Sequence, residues 1–253
     1  MSRVLFIQAD SRTLNPTLDE AAIDAEYTND PAVARSEWGG LFRDDISSFL
    51  TDELIDAALA GRLKHGRRRA AVAFVDMSGG VSDASVLAIA HSEDVAAPGE
   101  HTPPIVVLDL LRCRTAPHEP DLVAGEFVTA LQDFGLRRVT GDRYAAGWVA
   151  GAFQKRGIRY EAAELDKSSI YGEVLPVFAE RRVELINDKR LITELRMLER
   201  RPRAGGRADA IDHAPRAHDD CANAACGALF LAARKQRSMT ISAEVLASLD
   251  ELA

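Results

Sequence analysis

Residues 70–80 read AAVAFVDMSGG, a short apolar run that ends in an acidic residue and is followed by a Ser-Gly-Gly turn. An apolar run of this length, bounded by a turn, is typical of a buried strand. Residues 85–90 and 105–111 predict a second and a third strand. The chain therefore enters an α/β domain near residue 70, and Asp76 stands where the first strand ends.

Strand and helix patterns alternate after this point. Apolar spacing predicts helices over residues 122–134, 144–155, 169–180, 189–199 and 219–234. Two further strands are predicted at residues 137–140 and 159–165. Three successive strands followed by strand–helix alternation favour a mixed five-stranded sheet with helices on both faces. We assign residues 70–240 to this domain and residues 241–253 to a C-terminal tail.

Residues 1–69 have a different pattern. The apolar residues that recur there at helical spacing are Trp38, Leu41, Phe42, Ile46 and Phe49. Thr51 and Asp52 can cap a second short helix. Residues 61–69 are polar and basic, which is typical of a linker. We therefore predict a short helical arm that a linker joins to the α/β domain.

The charge balance bears on possible partners. The chain has 253 residues, a net charge of −8 and a pI of about 5.3, which is the wrong sign for binding nucleic acid through the overall field. Basic residues nevertheless cluster at 67–69 and at 200–207, either as local contacts or as solvated surface. Cations bound at an acidic site would also offset part of the negative charge.

The composition also bears on the cellular compartment. Three scattered cysteines do not make a disulfide framework, which suggests a reducing environment. The N-terminus lacks the pattern of a signal peptide, and the longest apolar stretch, residues 224–233, is far shorter than a membrane span. These features predict a cytoplasmic protein without a membrane partner.

Acidic residues occur at three points where the chain changes direction. Asp76 ends the first strand, Asp142 ends the fourth, and Asp219 and Asp220 open the last helix. If the first and fourth strands are neighbours, these carboxylates share one cleft. Hard oxygen ligands from separate elements suit Mg²⁺ or Mn²⁺. Two such ions, roughly 3.5–4 Å apart, could activate water and stabilise the leaving oxygen of a phosphodiester. We assign no residue to an organic cofactor.

Other interpretations of these acids stay open at this stage. Carboxylates at the ends of elements also arise as helix caps and turn formers, and Asp219 could be an N-cap. Asp83, beside the glycine turn, could reach the same cleft, and Asp109 could be a ligand or a paired core carboxylate. Ser78 and Ser82 have no evident His–Asp partners, so the sequence gives little support to a serine nucleophile.

The roles of the basic candidate residues also stay open at this stage. His218 could orient a ligand carboxylate or be a surface group, while His91 and His213 are better explained as structural. Lys167 could contact a DNA backbone as a positive charge, or it could be solvated.

The sequences around the three acidic positions resemble the nuclease motifs of phage terminase large subunits. Residues 74–80, FVDMSGG, followed by Asp83, resemble the first motif, in which an Asp at a strand end precedes a Ser-Gly-Gly turn. Residues 141–144, GDRY, resemble the second motif, and residues 218–224, HDDCANA, resemble the third. One motif alone is weak, but the ordered set is specific.

The resemblance covers nearly the whole chain. Residues 167–171, KSSIY, match a stretch that follows the fifth strand in these proteins, and residues 14–16 and 42–45 resemble the segment joining ATPase and nuclease. A terminase motor needs a phosphate-binding loop ending in Gly-Lys-Ser/Thr. Residues 61–68 have the glycine spacing but lack the lysine and the hydroxyl. The resemblance is therefore to the nuclease half, without the ATPase half.

The resemblance implies an RNase H-like fold and a metal-dependent endonuclease that cleaves double-stranded DNA, as when terminases cut concatemeric viral DNA during genome packaging. It implies Asp76, Asp142 and Asp220 as the main ligands of two Mg²⁺ or Mn²⁺ ions, with Asp219 supplementary. The partners implied are a separate ATPase chain, a small terminase subunit and a portal, in the cytoplasm of a host cell.

Two rival functions remain at this stage. Another RNase H-like nuclease, such as a junction resolvase, would prefer branched DNA. A nuclease-inactive module would only dock DNA or a motor partner, and the complete set of carboxylates argues against it.

Overall fold

The computed structural model describes residues 8–29, 34–35, 37–41, 47–61, 70–95, 102–143, 146–201, 209–215 and 217–235. The chain divides into two compact units, residues 1–47 with 200–210 and residues 48–199 with 211–253. The predicted boundaries at residues 69 and 240 lie outside the described residues and stay predictions.

Helices and strands follow each other along the chain. The helices are α1 (Ser11–Leu14), α2 (Glu20–Asn29), α3 (Asp52–Ala58), α4 (Pro120–Asp133), α5 (Ala146–Gln154), α6 (Lys167–Ala179), α7 (Lys189–Arg196) and α8 (Asp220–Lys235). The strands are β1 (Ser47–Ser48), β2 (Val72–Asp76), β3 (Ser85–Glu93), β4 (Ile105–Arg114), β5 (Arg138–Gly141), β6 (Arg159–Ala162), β7 (Val183–Glu184), β8 (Leu198–Arg201) and β9 (Ala210–His213).

The larger unit is built on a mixed sheet with strand order β6-β5-β2-β3-β4-β7. Strand β2 pairs antiparallel with β3 and parallel with β5, so it joins a hairpin region to a parallel region. The mixed α/β sheet predicted from the sequence is confirmed, with six strands instead of five. The sixth, β7, has two residues, which is too short for a periodic pattern to show.

Side chains that alternate along the central strands enter two separate cores. Phe74 packs into one core with residues of α3, α6, α7 and α8. Its neighbours Ala73 and Val75 face the other core, which α4 and α5 complete. This two-residue alternation, with helices covering each side, confirms helices on both faces.

Helix α8 lies close against the sheet because it carries small residues. A Cβ atom placed on Gly227 would fall 2.4 Å from the ring of Phe74 in β2. Only a residue without a side chain leaves room for that ring. The close approach places the first turn of α8 near the end of β2.

Two sequence predictions were wrong in detail. The helix expected to carry Trp38 to Phe49 does not reach Phe49, because residues 47–48 form β1; residues 42–46 lie outside the described part of the chain. Phe49 is instead buried, with its ring centroid 5.7 Å from that of Tyr171. The helix predicted over residues 189–199 ends at Arg196, and β8 and β9 occupy a segment read as a loop. Strand β8 reads LERR, which has no apolar alternation to reveal it.

Among the described residues, no helix is both long and apolar enough to cross a membrane.

Candidate metal centre

Asp76 and Asp142 follow two neighbouring parallel strands. Val75 in β2 pairs with Gly141 in β5, so the next residue of each strand lies at the same edge of the sheet. A Cβ atom on Gly141 would lie 2.6 Å from the carbonyl oxygen of Val75 and 2.7 Å from the hydroxyl of Tyr160. Tyr160 uses the space that glycine leaves and donates to the backbone oxygen of Asp142 at 2.6 Å. The chain after β5 is therefore held in a fixed direction.

Asp219 stands immediately before α8 and is 7% exposed. Its Oδ2 accepts a hydrogen bond from the hydroxyl of Tyr171 at 2.9 Å and lies 2.8 Å from Nζ of Lys167. Lys167 and Tyr171 both belong to α6, so one helix holds this carboxylate. Asp219 is thus more than a cap of α8.

Asp220 is the first residue of α8. Its Oδ2 accepts from Nη2 of Arg190 at 2.8 Å and from the backbone amide of Ala84 at 3.2 Å. Nε of Arg190 donates to Oε1 of the buried Glu194 at 2.6 Å. The other oxygen of Glu194 accepts from the backbone amides of the two residues after Asp220, at 2.7 and 3.0 Å. Helix α7 therefore fixes both the first turn of α8 and its first carboxylate.

The carboxyl of Asp76 lies among the other three acids. The pKa of Asp76 is raised to about 7, chiefly by burial; a hydrogen bond from Asn223 opposes the rise, and the charges of Asp220, Asp142 and Asp219 add to it. The Nδ2 of Asn223 donates to Oδ2 of Asp76 at 2.8 Å. The structure therefore brings all four acids singled out in the sequence into one electrostatically coupled group.

Asp212, at the end of β9, is a further acid that the sequence did not single out. Ligand atoms of Asp212, His213 and Asp219 all lie within 4.8 Å of one another, a spacing that could hold a metal ion. Oδ1 of Asp212 lies 2.8 Å from Nζ of Lys167. Although burial raises the pKa of Asp212, the hydrogen bond from Lys167 lowers it below the ordinary value. The available signal was an Asp-His pair shortly before the third motif, but it lay in a segment without strand periodicity.

The residues present fit a hard divalent cation. Their donors are carboxylate oxygens from two strand ends and one helix start, which is the ligand chemistry of Mg²⁺ and Mn²⁺. The amide oxygen of Asn223 supports this fit: the residue is 3% exposed, and within the described part of the chain Oδ1 has no hydrogen-bond partner. A buried polar atom of this kind calls for an ion or a water nearby.

Asp109 lies in a separate cluster. Its Oδ2 is 2.6 Å from Nδ1 of the buried His91, and Nε2 of His91 is 2.9 Å from a carboxylate oxygen of Glu93. Asp109 is thus a paired core carboxylate, which was one of the two alternatives for it. His91 takes part in the pairing.

Ser78 has a histidine nearby, although no histidine partner was evident along the chain. Nε2 of His118 lies 2.9 Å from the hydroxyl of Ser85 and 3.5 Å from that of Ser78. The other nitrogen, Nδ1, faces the backbone oxygen of Thr115 at 3.2 Å, a carbonyl where a catalytic triad has a carboxylate. A Cβ on Gly80 would meet the carbonyl oxygen of His118 at 2.1 Å. These contacts lock the Ser-Gly-Gly turn in place after β2 and do not build a nucleophile.

No protein-family model and no curated protein matches the sequence. Solved structures do match. The large terminase nuclease of thermophilic phage G20c is 18% identical, with a TM-score of 0.53 over 74% of this chain and 98% of that one. The HK97 bacteriophage large terminase is 13% identical, with a TM-score of 0.56 over 87% of this chain and 53% of that one.

A third structure is a mutant nuclease domain of the large terminase subunit of bacterial virus Sf6, with manganese and beta-thujaplicinol. It is 12% identical, with a TM-score of 0.53 over 72% of this chain and 98% of that one. The chain therefore has the RNase H-like fold of the large terminase nuclease domains, and the resemblance seen in the motifs is confirmed at the level of the fold. The chain aligns with about half the length of the HK97 protein.

Proposed function

We propose that this chain is the nuclease part of a phage terminase large subunit. In this role it is a divalent-metal-dependent endonuclease that hydrolyses double-stranded DNA, as in cutting concatemeric viral DNA during genome packaging. The observation that carries the proposal is the convergence of Asp76, Asp142, Asp219 and Asp220 at one edge of an RNase H-like sheet.

The metal ligands follow from that convergence. Asp76, Asp142 and Asp220 are the main ligands of two Mg²⁺ or Mn²⁺ ions, and Asp219 is supplementary. Bound ions would supply an activated water and would stabilise the leaving oxygen of the phosphodiester. The G20c nuclease has been solved with bound magnesium and the Sf6 domain with manganese, which supports this choice of metal.

Neighbouring side chains prepare the carboxylates for this role. Asn223 fixes one oxygen of Asp76, and Arg190 fixes one oxygen of Asp220. Lys167 supplies positive charge beside Asp219, which reduces repulsion within the group. Because each of these contacts holds one carboxylate oxygen, the acids keep a defined orientation, as catalysis requires.

The wider setting belongs to the same proposal. The substrate is double-stranded DNA in the cytoplasm of a host cell. A separate ATPase chain, a small terminase subunit and a portal are the protein partners of the packaging reaction. The basic segments at residues 67–69 and 200–207 lie outside the described residues, apart from residues 200–201.

A cleavage assay tests the proposal directly. Supercoiled plasmid, linear duplex and a four-way junction are incubated with the protein in Mg²⁺, in Mn²⁺ and in EDTA. We expect nicking and linearisation of the plasmid with either metal and none in EDTA. Cleavage confined to the junction would point to a resolvase, and binding without cleavage in either metal would point to a docking module.

A further inference from the structure

A cavity of about 630 Å³ opens beside Asp220. Ala84 and Arg190 both line this cavity, and both donate to Oδ2 of Asp220. The cavity and the candidate metal centre therefore share a wall. Its volume is within the range of small-ligand sites.

Three basic residues line this cavity, and one of them, His218, lies 3.8 Å from a carboxylate oxygen of Asp83. Lys189, Arg190 and His218 contribute the groups that carry or can accept a proton. The acid in the lining, Glu194, has both oxygens engaged, one by Arg190 and the other by two backbone amides of α8. Its charge is therefore offset within the wall.

Two of the cations can still accept a ligand. Lys189 is exposed, and among the described residues its ammonium has no ion-pair partner. Arg190 carries five N–H groups. Three of them bond to Glu194, Cys113 and Asp220, and its side chain is 32% exposed. The remaining N–H groups can donate to a phosphate.

We infer that this cavity binds the sugar–phosphate backbone of the DNA strand next to the scissile phosphodiester; the inference rests on the proposed function. A group of carboxylates repels an approaching polyanion, and the net charge of −8 adds to that repulsion. Cations directly beside the scissile phosphodiester would reduce this repulsion locally. Such contacts set position and affinity and carry no sequence information.

Thr115 also lines the cavity, and its hydroxyl is of a kind that can donate to phosphate oxygens; the hydroxyl of Thr193 instead donates to the backbone oxygen of Lys189 at 2.8 Å. Lys189 is the decisive residue because it is exposed and, in the part of the chain that the structure describes, its ammonium pairs with no acidic side chain. Arg190 also positions Asp220, so a change there would alter the metal centre at the same time.

The test compares Lys189→Ala and Lys189→Glu with Lys155→Ala, an exposed lysine after α5 on the opposite face of the sheet. Binding of a short fluorescein-labelled duplex is followed by anisotropy over a salt series in EDTA, so that cleavage does not intervene. Removal of one phosphate-binding cation lowers the slope of log K against log salt by about 1. We expect Lys189→Ala to weaken binding about 5- to 10-fold at low salt, Lys189→Glu to weaken it more, and Lys155→Ala to match the wild type.

Cleavage and thermal unfolding of the same proteins complete the test. In Mg²⁺, Lys189→Ala should raise the DNA concentration for half-maximal cleavage while the maximal rate stays within about 2-fold, since uniform binding is weakened and the transition state is not touched. If both Lys189 variants bind DNA as tightly as the wild type, with the same salt slope and the same Tm, the cavity does not bind DNA. If the wild type fails to cleave any DNA, the proposed function fails, while the binding comparison still decides the inference.

Discussion

Two groups of acids beside the same sheet differ in how their charge is compensated. In the first, His91 lies between Asp109 and Glu93, and the hydrogen bond that the imidazole donates to Asp109 raises the pKa of His91. In the second, Asp76 is bound by the neutral amide of Asn223 and lies among acids that raise its pKa to about 7.

The first group has a histidine of raised pKa between two carboxylates, whereas the second places a carboxyl among like charges. A buried acid with its own counter-charge costs the fold less than an unpaired one, since pairing offsets part of the cost of burial. A buried acid crowded by other acids is costly for the fold, and such crowding is common where a protein binds a cation or performs chemistry. The presence or absence of a counter-charge therefore distinguishes the acids expected to be structural from those proposed to bind metal, which burial alone does not.

The largest effect is expected from Asp76→Asn. The amide keeps the shape but loses the charge that binds a divalent cation, so DNA cleavage in Mg²⁺ or Mn²⁺ should fall to the level seen in EDTA. Asp121→Asn is the matched control, because Asp121 is a surface acid paired with Arg156. Plasmid nicking measures both. Wild-type cleavage by Asp76→Asn would overturn the metal assignment.

The first group is tested by His91→Leu. The side chain of Asp109 is fully buried, and this variant removes the histidine that pairs with it. We expect a loss of about 3–5 kcal/mol in the free energy of unfolding, measured in urea. The double variant, His91→Leu with Asp109→Leu, should recover much of the lost free energy of unfolding. Cleavage per folded molecule should stay at the wild-type rate, and a specific loss of cleavage would show that the two groups are not independent.

The pH dependence of stability gives a further test of the acidic group around Asp76. The folded pKa of Asp76, about 7, lies above its ordinary value of 3.8, so its stabilising contribution is complete below pH 3.8 and is lost as pH rises through 7. In EDTA, Asp76→Asn should therefore gain stability relative to the wild type between pH 5 and 8, by about 1–3 kcal/mol after discounting for solvent screening.

His91 follows the same sign, since its raised pKa gives stability that is present below 6.5 and lost as pH rises through the folded value. Mg²⁺ distinguishes the two groups. It should restore wild-type stability at pH 8 through the acidic group and should leave the contribution of His91 unchanged. Thermal unfolding at several pH values, with Mg²⁺ and with EDTA, measures this. If Mg²⁺ raised the Tm of the wild type and of Asp76→Asn by the same amount, the proposed binding of Mg²⁺ by Asp76 would be contradicted.

The smallest effect concerns the helix that brings two acids to the site. In Gly227→Ala the new methyl group meets the ring of Phe74, so α8 must shift; we expect a loss of about 1–3 kcal/mol in stability and weaker Mn²⁺ binding. Gly151→Ala in α5 is the control, because nothing lies within 4 Å of its new Cβ. It should be neutral or stabilising by up to about 1 kcal/mol. Calorimetric Mn²⁺ titration and urea unfolding together test the pair.

The parts of the fold and site that could be predicted are those whose conformation is determined by residues close together in the sequence. The apolar run before Asp76, the glycine turn after it and the small residues of α8 each impose a conformation on their own neighbourhood. The groups that hold the acids were not predictable in this way. Asn223, Arg190 and Glu194 reach their partners through tertiary packing, and no spacing along the chain indicates which acid each will meet.

Asp212 and His118 were missed for a related reason. Asp212 lies in a four-residue strand, and His118 lies in a loop after β4, so neither has a periodic context. Asp212 reaches the metal centre, and His118 reaches the Ser-Gly-Gly turn, from segments without a periodic pattern.

The close approach at Gly141 has a consequence for which sequences this site can tolerate. Any side chain there would displace either the carbonyl of Val75 or the hydroxyl of Tyr160. Loss of the first breaks the parallel pairing of β2 with β5, and loss of the second frees the backbone of Asp142. The absence of a side chain at position 141 therefore sets the distance between the ends of β2 and β5. Even the methyl group of alanine would increase that distance.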